Sequence, residues 1–93
     1  MSASEARLVE GLEYAIVEGL VVLLCRKTGT YLGGSRLTTD IFELLLENPS
    51  IENLYSSLMD SYDVDPEILR SDVDDLLSQM AELGLVELEE AAP

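Results

Sequence analysis

The sequence predicts an α+β fold, in which a three-stranded antiparallel sheet packs on three helices. The first observation is an apolar run rich in branched residues, Leu20–Cys25, which is too short for a helix and is typical of a central strand. The second is that three later segments have apolar residues at helical spacing, each preceded by a capping residue. The strands precede the helices, which favours α+β, and 93 residues suffice for one domain with one core.

Turn signals separate the predicted strands. Apolar residues alternate along Leu12–Val17, which favours a half-buried strand, and Glu18-Gly19 is a turn candidate before the central strand. Arg26–Gly29 has the composition of a hairpin loop, with a glycine free to take positive φ. Thr30–Leu32 then returns as the third strand, which a glycine pair ends.

Each predicted helix begins at a capping residue. Ser35 caps the first helix, which the Asn-Pro pair at Pro49 ends, and Ser50 caps the second. Asp65 caps the third, where a proline takes the first helical position, and Gly84 ends it. The residues predicted to face inward are Leu37, Ile41, Leu44 and Leu45, then Ile51, Leu54, Leu58 and Met59, then Leu69, Val73, Leu76, Leu77 and Met80.

The predicted domain spans residues 12–88. Residues 1–11 show no clear anchor and are expected to be loosely ordered, either fraying or forming a short helical turn. Beyond the third helix, Leu85–Leu88 can leave as a short strand, and residues 89–93 are predicted to be a loose acidic tail.

The formal net charge of -14 is unevenly distributed. Residues 1–39 carry equal numbers of acidic and basic side chains, so the whole net charge lies in residues 40–93, where Arg70 is the only basic residue. Such a surface repels nucleic acid and anionic membranes, and it attracts cationic peptides or basic protein patches. The alternative is that the charge only maintains solubility. We therefore expect neither nucleic acid nor a membrane among the partners.

The sequence offers little for catalysis or metal binding. It has no histidine, and its single cysteine excludes an internal disulfide and the usual structural zinc sites. Cys25 is expected to be a small buried hydrophobe. No metal, no cofactor and no catalytic residue are expected, and the protein is predicted not to be an enzyme. The longest apolar run is too short to span a bilayer and no signal sequence is evident, which predicts a cytoplasmic protein.

The order of these elements resembles the PqqD family, small winged-helix-like domains that bind leader peptides of ribosomally made precursors. The segments that carry the resemblance are the hairpin Leu20–Leu32, Ile41-Phe42 in the first helix, Asn48-Pro49-Ser50, Met59–Glu67 and Asp72–Val86. Two positions depart from the family pattern. Gly34-Ser35 stands where a Leu-Asn pair usually enters the first helix, and Phe42 replaces a tryptophan.

The resemblance implies a stand-alone recognition protein, or peptide chaperone. We expect this protein to be a monomer or a weak homodimer. An outer strand with free N–H and C=O groups can accept the leader as an added strand. The pathway enzyme that receives the leader would be a protease, a cyclase or a radical SAM enzyme, in a lasso-peptide or radical-enzyme pathway. The implied peptide-binding residues are Thr30, Tyr31, Leu32 and Gly33 on the strand and Leu69, Asp72, Val73 and Leu76 on the last helix.

Two other classes of protein stay open at this point. Leu32-Gly33-Gly34-Ser35 is similar to the Leu-Gly-Gly-x-Ser motif of peptidyl carriers, which would make Ser35 the phosphopantetheine site, although the intervening residue is missing and a carrier has no place for the strand. A winged-helix DNA-binding protein is the other alternative. Its third helix would carry five acidic residues against Arg70, which opposes approach to phosphates.

Overall fold

The structure is a computed structural model that describes residues 3–90. In this part of the chain five strands and three helices follow one another, and the predicted α+β class is confirmed. The elements are β1 Glu5–Leu8, β2 Leu12–Val17, β3 Leu20–Cys25, β4 Thr30–Gly33, α1 Arg36–Glu47, α2 Ile51–Ser61, α3 Pro66–Glu82 and β5 Val86–Glu89.

The predicted three-stranded antiparallel sheet is confirmed, with the strand order β2-β3-β4. Tyr14 lies opposite Leu23, which in turn lies opposite Leu32, so these side chains share one face of the sheet. That face meets the helices, because Leu23 is fully buried and the ring of Tyr14 packs on Phe42 of α1 with centroids 4.7 Å apart. Tyr31 lies on the opposite face and is 70% exposed.

A second sheet, formed by β1 and β5, was not predicted. We expected residues 1–11 to be loosely ordered, yet Glu5 to Leu8 pair antiparallel with Val86 to Glu89. The predicted C-terminal strand therefore exists, but it ends one residue later and includes part of the predicted acidic tail. Residues 1–2 of the predicted loose N-terminus and residues 91–93 of the predicted acidic tail lie outside the described residues.

Long-range contacts explain why the first residues are ordered. The Ala6 side chain is fully buried in the core, and its backbone N–H donates to the carbonyl of Pro49 over 2.8 Å. Across the two strands, the Arg7 guanidinium contacts the carboxylates of Glu5 and Glu89 at 3.2 and 3.0 Å. Glu5 and Glu89 lie directly opposite each other across the two strands, and the positive charge of Arg7 between them offsets their repulsion.

The predicted helix caps are confirmed. Ser35 Oγ accepts from the backbone N–H of Thr38 at 3.1 Å, and Ser50 Oγ accepts from Asn53 at 3.2 Å. Asp65 caps α3 in the same way. Each of these bonds satisfies a donor that would otherwise lack a partner in the first turn of the helix.

The buried face of α2 differs from the predicted one at two positions. Met59 was expected to face inward, but it is 36% exposed, whereas Tyr55 is 6% exposed and belongs to the core. Tyr55 follows Leu54 and lies one turn before Leu58, so it completes a compact apolar stripe. Cys25 is free and buried, as predicted.

Candidate functional site

β4 is an edge strand, because it pairs with β3 and with no other strand in residues 3–90. In an antiparallel ladder the N–H and C=O groups of successive residues point alternately to the two sides of the strand. Part of the backbone of Thr30–Gly33 therefore directs its hydrogen-bonding groups away from β3. These groups can pair with another chain that lies alongside.

The start of β4 is tied to the end of α3. Thr30 Oγ1 donates to the carbonyl of Leu83 over 2.5 Å. Ile68, Asp72 and Leu76 recur every four residues and lie along one side of α3, and the same side continues two turns beyond Leu76 to the C-cap Leu83. We call the combination the β4–α3 surface, which comprises Thr30, Tyr31, Leu32 and Gly33 with Ile68, Asp72 and Leu76.

The predicted peptide-binding residues divide by burial. Those with accessible surface are Thr30, Tyr31, Leu32, Gly33, Asp72 and Leu76. Leu69 and Val73 are 3% and 0% exposed and pack in the hydrophobic core. Their side chains hold α3 in place and offer almost no area to a ligand.

Ile68 belongs to this surface but is not among the predicted peptide-binding residues. It is 59% exposed, which is unusual for an isoleucine next to a packed core. Its signal was its four-residue spacing from Asp72 and Leu76, but the apolar stripe was assigned only to the core-facing side of the helix. An exposed isoleucine beside a half-buried leucine gives the β4–α3 surface an apolar patch.

The electrostatics of α3 leave the β4 side of the helix negative. Asp72 and Asp75 are exposed, whereas the guanidinium of Arg70 lies 4.2 Å from the ring centroid of Tyr55 on α2. The Tyr55 hydroxyl donates to Asp74, and burial together with this hydrogen bond raises the pKa of Tyr55 well above its ordinary value. The single positive charge of the helix is thus engaged on the side that faces α2.

A cleft of about 520 Å³ between α1 and α2 forms a second acidic surface. Within it the Tyr62 hydroxyl donates to Asp40 over 2.7 Å, and Arg36 lies 3.6 Å from the same carboxylate. Burial, followed by this hydrogen bond, raises the pKa of Tyr62 to about 12. Asp40 is therefore satisfied within the fold, while Glu43 and Glu47 are exposed at the rim.

Ser35, the alternative phosphopantetheine site, has a structural role. Its hydroxyl accepts from the Thr38 N–H and lies 3.0 Å from Thr38 Oγ1, which fixes the start of α1. Among residues 3–90, no group of histidine, cysteine, aspartate and glutamate side chains is arranged to hold a metal ion. Within the same residues, no helix combines the length and the apolar character needed to cross a membrane.

The fold and the site define a class of protein: small α+β domains of winged-helix-like architecture whose outer hairpin strand lies open beside the last helix. Residues 21–86 match the family model described as Coenzyme PQQ synthesis protein D (PqqD). The chain belongs to the PqqD family, and the resemblance noted in the sequence is confirmed.

Two solved structures share this fold. One, described as "TbiB1 in Complex with the TbiA(beta) Leader Peptide", is 30% identical with a TM-score of 0.79, and the match covers 94% of this chain and 99% of that one. The other, described as "Lasso peptide synthetase B1 complexed with the leader peptide", is 24% identical with a TM-score of 0.77, covering 90% and 99%. A comparison with curated protein sequences gives no match.

Proposed function

We propose that this protein binds the leader of a ribosomally made precursor peptide and presents it to a processing enzyme. The observation that carries the proposal is the open edge of β4 beside α3, in a fold that a 30% identical leader-peptide complex shares over 94% of the chain. The protein itself contributes recognition, and the chemistry belongs to the enzyme. It works in the cytoplasm, where ribosomally made precursors arise.

Strand addition to β4 accounts for both affinity and specificity. A leader in extended conformation completes the ladder through main-chain hydrogen bonds, and its alternate side chains point to the two faces of the sheet. A leader side chain opposite Leu32 points to the helix layer, because Leu32 lies opposite the buried Leu23. There it meets Leu76 and Ile68, so apolar leader residues at every second position fit this surface.

Calorimetric titration with two synthetic leaders tests the proposal. The probes are the TbiA(beta) leader and the leader segment of any short precursor peptide whose gene lies beside that of this chain. Ile68→Lys should lower the affinity by at least about tenfold, because it places a charge in the apolar patch. Leu46→Lys is the matched control, since Leu46 on α1 is 57% exposed and lies off the surface. Absence of binding to both leaders, or equal effects of the two variants, would contradict the proposal.

Salt should weaken the binding of a basic leader. The net charge of residues 40–93 attracts a cationic chain, and mobile ions screen that attraction. We expect a several-fold loss of affinity between about 0.05 M and 0.5 M salt. A leader whose basic residues are replaced by glutamine is the control and should show a flatter dependence. An unchanged affinity for the basic leader across this range would refute the electrostatic contribution alone.

The enzyme that receives the leader belongs to a lasso-peptide or a radical-enzyme pathway, and it is a protease, a cyclase or a radical SAM enzyme. The open β4 edge and the acidic helices suit all three equally. Identifying the enzyme genes beside the precursor gene separates the two pathways. A direct assay then asks which purified enzyme processes the precursor faster in the presence of this protein.

A further inference from the structure

β2 is a second open edge of the same sheet, and the proposed function does not use it. Among residues 3–90 it pairs with β3 only, and it is longer than β4, with six residues against four. Five of its six residues are exposed, including Tyr14 at 56%, Ile16 at 54% and Val17 at 56%. Edge strands are normally protected by lysine, proline or a bulge, and β2 contains no lysine or proline.

The side-chain pattern of β2 is complementary to itself. A two-fold axis normal to the sheet sets β2 antiparallel to a second β2 and keeps each side chain on its own face. With the axis at Ala15, Tyr14 lies opposite Ile16 of the partner subunit on the helix side. An aromatic residue opposite a β-branched residue is a favourable cross-strand pair. Glu13 lies opposite Val17 of the partner subunit, so no like charges face each other.

The charge distribution favours a second copy at this edge. Residues 1–39, which include the whole three-stranded sheet, have balanced charges, and the net -14 resides in residues 40–93. Pairing through β2 brings two sheets without net charge into contact. Contact through the helices would oppose two strongly negative surfaces. The ring of Tyr14 is already held against Phe42, so little side-chain freedom is lost on pairing.

We propose that two copies pair through β2 about a two-fold axis at Ala15, which gives a six-stranded antiparallel sheet with a free β4 edge at each end. A contact between single strands is small compared with the roughly 800 Å² per partner of a stable interface. The dimer is therefore weak and depends on concentration. It does not require that the protein bind a leader, and it leaves both β4–α3 surfaces accessible.

Disulfide trapping tests the symmetry. In the proposed register the two copies of residue 15 lie about 5 Å apart at Cα, within disulfide range, whereas the two copies of residue 17 are separated by roughly 13 Å along the strand. Ala15→Cys should cross-link rapidly under mild oxidation, and the matched variant Val17→Cys should not. The unmodified chain, whose only cysteine is buried, is the background control. Equal or reversed yields for the two variants overturn the proposal.

Sedimentation equilibrium gives a test that needs no cross-link. The apparent mass should rise with concentration from 10.2 kDa toward twice that value, and it should rise further in higher salt because the copies carry like charge. Ile16→Lys should remove this rise. Tyr31→Lys, which alters the other open edge, should retain it, and thermal melts confirm that both variants fold. A constant mass at all concentrations, or a loss of dimer only in Tyr31→Lys, overturns the proposal.

Discussion

Proline substitutions at Tyr31 and Leu32 are expected to separate leader binding from folding. Successive residues of β4 direct their N–H groups to opposite sides, so one substitution removes a donor to β3 and the other removes a donor on the open edge. The substitution that removes a donor to β3 should lower the free energy of unfolding. The substitution that removes a donor on the open edge should lower leader affinity by at least about tenfold at nearly unchanged stability, because edge strands tolerate proline where the N–H faces outward.

The two proline variants serve as controls for each other. Chemical denaturation identifies which variant has lost stability, and calorimetry with the same leader identifies which has lost affinity. If the variant of unchanged stability binds the leader as tightly as the unmodified protein, the added strand does not lie on β4. The leader-binding surface would then have to be sought elsewhere, for example in the acidic cleft between α1 and α2.

Gly34→Ala is expected to destabilise the fold by about 3 kcal/mol. A Cβ at this position would lie 2.3 Å from the carbonyl oxygen of Val21 and 3.0 Å from its backbone nitrogen. Neither atom can move away easily, because the Val21 N–H also donates to the buried hydroxyl of Thr39 over 2.9 Å. The chain leaving β4 thus passes too close to β3 to carry a side chain there.

Gly33→Ala is the matched control for this prediction. A Cβ on Gly33 would meet no atom within 4 Å, so its effect should stay within about 0.5 kcal/mol. Urea denaturation measures the change in the free energy of unfolding for both variants, from the shift of the midpoint at unchanged m-value. A Gly34→Ala variant as stable as Gly33→Ala would show that the segment after β4 can shift freely away from β3, which the packing described above does not allow.

The local signals in the sequence determined the three helices, their caps and the hairpin. Ser35, Ser50 and Asp65 satisfy donors within three residues of themselves, so their role depends on near neighbours alone. The alternation along β2 and the branched residues of β3 are likewise signals within the sequence of each strand, independent of distant contacts. The open edge of β4 followed from the same hairpin, so the strand half of the candidate site was predictable.

Only the tertiary structure decided the β1–β5 sheet and the helix half of the site. The partner of Glu5 is Glu89 at the far end of the chain, and no local pattern in a four-residue segment indicates such a pairing. Similarly, Ile68 and Val73 are both apolar residues on α3, yet one is exposed and the other buried. Periodicity shows that a helix has an apolar side, but which of its residues border β4 depends on how the helix is rotated against the sheet, and that rotation is set by contacts between segments distant in sequence.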